Sequence, residues 1–262
     1  MLTANVNGVD LHYADHGPKH GPALVFANSL GTDFRLWDVL LPHLPEGLRL
    51  VRYDKRGHGL SGETPGPYSI DQLADDAAGL IRHLGLSDAV FVGLSIGGLI
   101  GQSLAMRHGE LLRALVISNS AAKIGDSAMW QDRIAAIRQN GLPSIGPATM
   151  ERWFSPDFRA SGAAAPWKRM LERQPVGGYI ACCEAIAAAD LREAAARLDL
   201  PTHLIAGDLD GATPPDLVKS TANLIAGARM DVISGAGHLP CVEAPATYAD
   251  ILTRFLKEVG HV

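Results

Sequence analysis

A hydroxyl, an imidazole and a carboxylate can together open an ester, and this sequence offers all three where a fold could use them. Ser95 is the centre of Gly93-Leu94-Ser95-Ile96-Gly97, directly after the apolar run Ala89-Val90-Phe91-Val92 and at the start of a helical pattern over residues 96–108. A strand that turns sharply into a helix holds its corner residue in a strained conformation, and the flanking glycines let neighbouring backbone pass close. The corner hydroxyl then lies beside a helix N-terminus, whose free N–H groups and positive potential favour an anion. Serine is a weak nucleophile at neutral pH and needs a base that a third group holds in place. His238, in Gly235-Ala236-Gly237-His238, is the expected base, and Asp210, in Gly207-Asp208-Leu209-Asp210, the expected acid. Asp208 competes for the acid role. Asp210 is favoured because Gly211 and Thr213-Pro214 suit a tight turn that presents its carboxylate, leaving Asp208 to brace the loop. Acyl transfer also needs donors for the oxyanion. The backbone N–H of Ile96 is one, and the N–H of Leu30, in Asn28-Ser29-Leu30-Gly31, is the expected second.

Those residues require elements that bring them to one place. Residues 2–6 and 9–13 flank Asn7-Gly8 and predict a hairpin. Short apolar runs without alternation follow at 23–27, 50–53, 89–92, 114–117, 203–206 and 230–233, the pattern of strands covered on both faces. Helical patterns between them, at 34–44, 70–84, 96–108 and 245–257, imply a mostly parallel, doubly wound α/β sheet. Ser95, Asp210 and His238 each follow a strand, and open α/β sheets build their sites at the carboxyl ends of strands. From residue 122 to 190 the sequence has helical patches but no strand pattern. The expected organisation is a core of residues 1–121 and 191–262 with a helical cap inserted over residues 122–190.

With 47% hydrophobic and 19% charged residues over 262 positions, there is ample material for a large core. A net charge of −5 without like-charge blocks argues against nucleic acid as a partner. No apolar stretch approaches membrane-spanning length, and the first residues lack the pattern of a signal peptide. Cys182, Cys183 and Cys241 form neither a disulfide framework nor a Cys-x-x-Cys metal site. The expectation is a cytoplasmic protein with reduced thiols and no membrane or metal partner.

Taken together, these motifs resemble the α/β-hydrolase superfamily over the whole chain. Asp54-Lys55-Arg56-Gly57-His58-Gly59-Leu60-Ser61 is similar to the family's Arg-Gly-x-Gly-x-Ser turn, in which Arg56 and His58 would shape a loop beside the site. Residues 207–214 resemble the acid loop, in which the second aspartate is the triad member, and Gly237-His238 with Glu243-Ala244-Pro245 the histidine loop. Asn28-Ser29-Leu30-Gly31-Thr32, Met129-Trp130 with Arg133-Ile134, Glu151-Arg152-Trp153-Phe154 and Gly178-Tyr179-Ile180-Ala181-Cys182-Cys183 narrow the resemblance to the 3-oxoadipate enol-lactonases of bacterial aromatic catabolism. Where the superfamily usually has His-Gly, this chain has Asn28-Ser29, and no role is carried over from that histidine. The resemblance implies a serine hydrolase that needs no metal or organic cofactor and acts on a small lactone bearing one carboxylate. Arginine pairs with carboxylates through its forked donors. Arg133 shares a helix face with Trp130 and Ile137 and is the expected partner, with Arg152 the alternative and Trp130 and Trp153 as apolar walls. A general carboxylesterase or peroxidase-like hydrolase would share the triad, and a non-catalytic binding protein could share the fold.

Overall fold

The computed structural model describes residues 1–262. Eight strands form a single sheet: β1 (Leu2–Val6), β2 (Val9–His16), β3 (Ala23–Ala27), β4 (Arg49–Tyr53), β5 (Ala89–Leu94), β6 (Leu112–Ser118), β7 (Thr202–Gly207) and β8 (Arg229–Ile233). Their spatial order is β1-β2-β4-β3-β5-β6-β7-β8. The β1–β2 hairpin and the β2–β4 pair are antiparallel, and every later pair is parallel. Asn7 and Gly8 both take positive φ at the hairpin turn, as the dipeptide predicts. The expected strands at 50–53, 114–117 and 203–206 are all present, each somewhat longer than the apolar run alone. Strands β3, β5 and β7 are buried at every residue, whereas β8 closes the sheet as a partly exposed edge.

The order of the strands fixes where a site can form. From β3 the chain steps to β4 on one side and then crosses to β5 on the other, so the direction of winding reverses between β3 and β5. Their register pairs Ala27 with Gly93. The loops leaving both strands therefore diverge from one crevice, the place where doubly wound sheets bind ligands.

Eleven α-helices accompany the sheet. On the core lie α1 (Ile70–His83) and α2 (Ile96–His108); between β6 and β7 come α3 (Ser127–Asn140), α4 (Gly146–Trp153), α5 (Pro156–Ala160), α6 (Ala165–Glu172), α7 (Val176–Ala188) and α8 (Arg192–Ala195); α9 (Pro215–Ala222), α10 (Pro240–Glu243) and α11 (Pro245–Glu258) complete the fold. Ser69 caps α1 by accepting the Gln72 N–H, and Ile70, Leu73, Ala77, Leu80 and Ile81 supply its buried face at helical spacing. Asp126 caps α3 by accepting the Met129 N–H, and Gly141, at φ 72°, ends that helix. No helix is long and apolar enough to cross a membrane.

The helix expected over 34–44 is absent. Two short 3-10 turns, Phe34–Trp37 and Leu41–His43, occupy that stretch. Pro42 has no N–H to return to Asp38, and its ring would collide with that carbonyl, so a continuous α-helix cannot pass through it. The apolar spacing survives in the burial of Leu36, Trp37 and Leu40.

Candidate active site

Ser95 sits at the corner between β5 and α2 with φ 60° and ψ −118°, a conformation that costs a non-glycine residue about 1–3 kcal/mol. Neighbours hold it there: the Ser95 N–H donates to the Ser118 carbonyl at 2.9 Å, and Ser120 Oγ donates to the Ser95 carbonyl at 2.6 Å. The two outer glycines are required by close approach. A Cβ on Gly93 would stand 2.1 Å from the Gly97 carbonyl oxygen, and one on Gly97 would stand 2.2 Å from that of Ala27.

His238 and Asp210 form a sealed pair. Asp210 Oδ2 accepts from His238 Nδ1 at 2.8 Å, with the side chains 0% and 2% exposed, respectively. Burial acts to raise the Asp210 carboxyl, but His238, the Asn119 amide and the Thr213 N–H outweigh it and hold it below the usual carboxylate range. With the proton of His238 drawn to Nδ1, Nε2 presents a lone pair. Ser29 Oγ lies 3.5 Å from that nitrogen. Asp208 does something else: it accepts from Ser234 Oγ and the Gly235 N–H and braces the turn leading to His238.

Ser95 and His238 line one cavity of about 170 Å3, together with Leu30, Trp130, Arg133, Arg152, Trp153 and Tyr179 among others. The Leu30 N–H has no partner in the protein, and that of Ile96 is the first of α2, where no preceding turn supplies a carbonyl. The neighbouring Gly31 N–H is instead taken by His58 Nε2 at 3.0 Å. Burial and the nearby Lys55 push the His58 pKa well down, so this ring stays neutral and accepts.

Several contributors escaped the sequence reading. Asn119, at φ 45°, donates to Asp210 Oδ2 and to the Gly237 carbonyl, tying the acid loop to the histidine loop. Thr213 Oγ1 donates to Asp210 Oδ2 at 2.7 Å. Lys55, 3% exposed, donates from Nζ to the Ser29 carbonyl at 2.8 Å. Asn119 and Lys55 carry no spacing signal, since their partners lie 91 and 26 positions away; Thr213 is only three positions from Asp210, and spacing shows its place in the turn but not its hydroxyl's bond to the carboxylate.

Burial lowers the Lys55 pKa to about 8. A base whose folded pKa is depressed carries its cost fully below that value, and stability is regained as pH rises toward the unfolded pKa of about 10.4. Wild type should therefore gain, relative to Lys55→Met, on the order of 3 kcal/mol between about pH 8 and 10.5. Urea unfolding of both proteins at each pH measures this, and parallel pH profiles would refute it.

The arginines behave differently from each other. Arg133 donates from Nε and Nη2 to Tyr179 Oη, at 3.0 and 2.6 Å, and from Nη2 to Thr149 Oγ1. Arg152 makes no side-chain hydrogen bond, and neither arginine has an acid partner. Burial and the proximity of Arg133 lower the Arg152 pKa. Trp130 is fixed by Nε1 donating to the Ile124 carbonyl, and the Trp153 ring lies nearly parallel to His238, with centroids 6.5 Å apart. The last turn of α4 is also joined to the loops that carry Asp210 and His238. The Trp153 carbonyl accepts the His238 N–H at 2.8 Å, and the Arg152 carbonyl accepts the Gly211 N–H at 3.1 Å.

A strained serine at the crevice of a doubly wound sheet, with a buried Asp–His pair beside it, defines a class, and comparison with known families agrees. The model for the alpha/beta hydrolase fold matches residues 22–245, and the chain belongs to that family. Within it, the chain is similar to two 3-oxoadipate enol-lactonases of Acinetobacter baylyi. It is 35% identical to 3-oxoadipate enol-lactonase 2 over 97% of this chain and 96% of the relative, and 33% identical to enol-lactonase 1 over 99% and 97%. The crystal structure of the enol-lactonase from Burkholderia xenovorans LB400 superposes with a TM-score of 0.94 at 37% identity, covering 98% of this chain and 100% of that one.

Proposed function

We propose that the protein hydrolyses 3-oxoadipate enol-lactone to 3-oxoadipate, as a cytoplasmic enzyme of the β-ketoadipate pathway of bacterial aromatic catabolism. Ser95 Oγ attacks the ring carbonyl while His238 Nε2 takes its proton, and Asp210 stabilises the imidazolium. The N–H groups of Leu30 and Ile96 receive the oxyanion. Collapse of the tetrahedral intermediate breaks the ring C–O bond, and the enolate that leaves remains tethered within the acyl chain. His238 gives the proton to it, then takes one from the water that attacks the acyl-enzyme and passes it to Ser95 Oγ as the diacid leaves, whose enol relaxes to the ketone. The helical stretch 122–190 is read as a cap that closes the cavity over the substrate and supplies Arg133, Arg152, Trp130 and Trp153.

The observation that carries the choice of an anionic lactone is the pair Arg133 and Arg152, facing the cavity without an acid to neutralise either. A neutral ester gives two half-buried cations nothing to bind, whereas a carboxylate receives charge-assisted hydrogen bonds worth about 1.5–3 kcal/mol. Purified protein should hydrolyse the enol-lactone with kcat/KM far above that for 4-nitrophenyl acetate. Arg133→Ala and Arg152→Ala should each lower kcat/KM for the lactone by roughly 10- to 150-fold and leave the neutral ester within a few-fold. Faster turnover of the neutral ester, with both variants indifferent, would instead identify a general carboxylesterase.

A further inference from the structure

A second concavity lies on the other side of the loop that carries Leu30. It is a cleft of about 640 Å3 between the core, at Phe34 and the Asp54–Leu60 turn, and helix α6. It shares no lining residue with the catalytic cavity. His12 lies in its floor, 8% exposed. Its Nδ1 is bonded to Asp54 Oδ2 at 2.8 Å, and Asp54 also accepts the Phe34 and Leu60 N–H groups, which fixes the ring. His12 Nε2 has no partner in the protein, and it is not sealed from solvent. A buried imidazole with one nitrogen anchored and the other open to a cleft is built to meet something.

The walls and rim specify what. Phe34 on the core and Trp167 on α6 line the cleft, with Leu60 left 62% exposed at its mouth. On α6 the ion pair is Lys168 with Glu172, and Arg169 and Arg173, both exposed and lining the cleft, have none. The acids that line the cleft are already engaged, Asp33 by Arg35 and Asp54 by His12, so Arg169 and Arg173 are left without an acid partner there. The walls are tied together, because Gln174 Oε1 accepts the Gly59 N–H at 2.8 Å across the cleft. The volume lies within the range of small-molecule sites, about 300–1,000 Å3.

We propose that this cleft is a second ligand site, which takes a small carboxylate on a flat apolar body. The ring lies between Phe34 and Trp167, the carboxylate meets Arg169 and Arg173, and His12 Nε2 meets a polar group at the floor. The proposal stands apart from the catalytic reading, and its test reads binding rather than turnover. Benzoate is titrated by NMR against Arg133→Met/Arg152→Met protein, which removes the cations of the catalytic cavity. Saturable binding that perturbs the His12 ring resonances is expected, weakened at least about tenfold for benzamide, which lacks the charge, and for acetate, which lacks the ring. Adding Arg169→Glu/Arg173→Glu should weaken benzoate binding by at least about tenfold, and Trp167→Ala should weaken it as well. Absence of saturable binding, or acetate binding as well as benzoate, or indifference to the Arg169 and Arg173 substitutions, each overturns the proposal.

Discussion

Ser95→Ala protein should hydrolyse its substrate on the order of 10⁶-fold more slowly in kcat than wild type. The fold should be intact, because the corner is held by backbone bonds to Ser118 and Ser120 that alanine keeps. Any residual rate would come from binding in the cavity and from the N–H groups proposed to receive the oxyanion. Ser95→Gly should be equally inactive and more stable than Ser95→Ala, by about 1 kcal/mol or more, since glycine enters the φ 60° corner without strain. Single-turnover assays and thermal melts on the three proteins separate the two effects. Retention of wild-type turnover in Ser95→Ala would remove this serine from the mechanism.

Asp210→Asn should lower kcat by about 10⁴-fold. The carboxylate accepts from His238, Asn119, Thr213 Oγ1 and the Ala212 and Thr213 N–H groups, so it serves only as an acceptor. An amide there can turn its NH2 toward His238 and force the tautomer whose Nε2 already carries a proton and cannot act as base. Asp208→Asn provides the contrast. That side chain braces Ser234 and Gly235 and should change kcat by no more than a few-fold while costing about 1 kcal/mol of stability. Stability against pH adds a second readout. Because the Asp210 carboxyl is held low in the fold, it contributes stability above the unfolded pKa of about 3.9, lost as pH falls through the lower folded value. Asp210→Asn should lack that acid-side loss.

The strands, the corner serine and the loop positions of Asp210 and His238 were legible because each rests on a local pattern: an apolar run of strand length, two glycines about a serine, a residue just beyond a strand. The turns at 34–43 were misread because the apolar spacing of Leu36, Trp37 and Leu40 suits a helix, and Pro42 decides against it. Asn119 and Lys55 were illegible for a different reason. Each matters only through what the fold brings beside it, as when Asn119 reaches Asp210 across 91 positions of sequence. Arg133 shows the limit between the two cases. Its helix face could be read from spacing, but the engagement of its guanidinium by Tyr179 could not, and that engagement leaves Arg152 the freer of the two.

The final carbonyls of α4 give this protein an indivisible boundary. The backbone of His238 hangs on Trp153, and that of Gly211 on Arg152, so α4 and the loops that carry Asp210 and His238 share hydrogen bonds. A recombinant chimera that exchanges 122–190 for the equivalent stretch of another hydrolase would replace part of the cavity lining and unseat His238 together, unless the donor's helix ends in the same register. Laboratory shuffling of this enzyme will succeed at junctions that keep residues 152–153 in the company of residues 211 and 238.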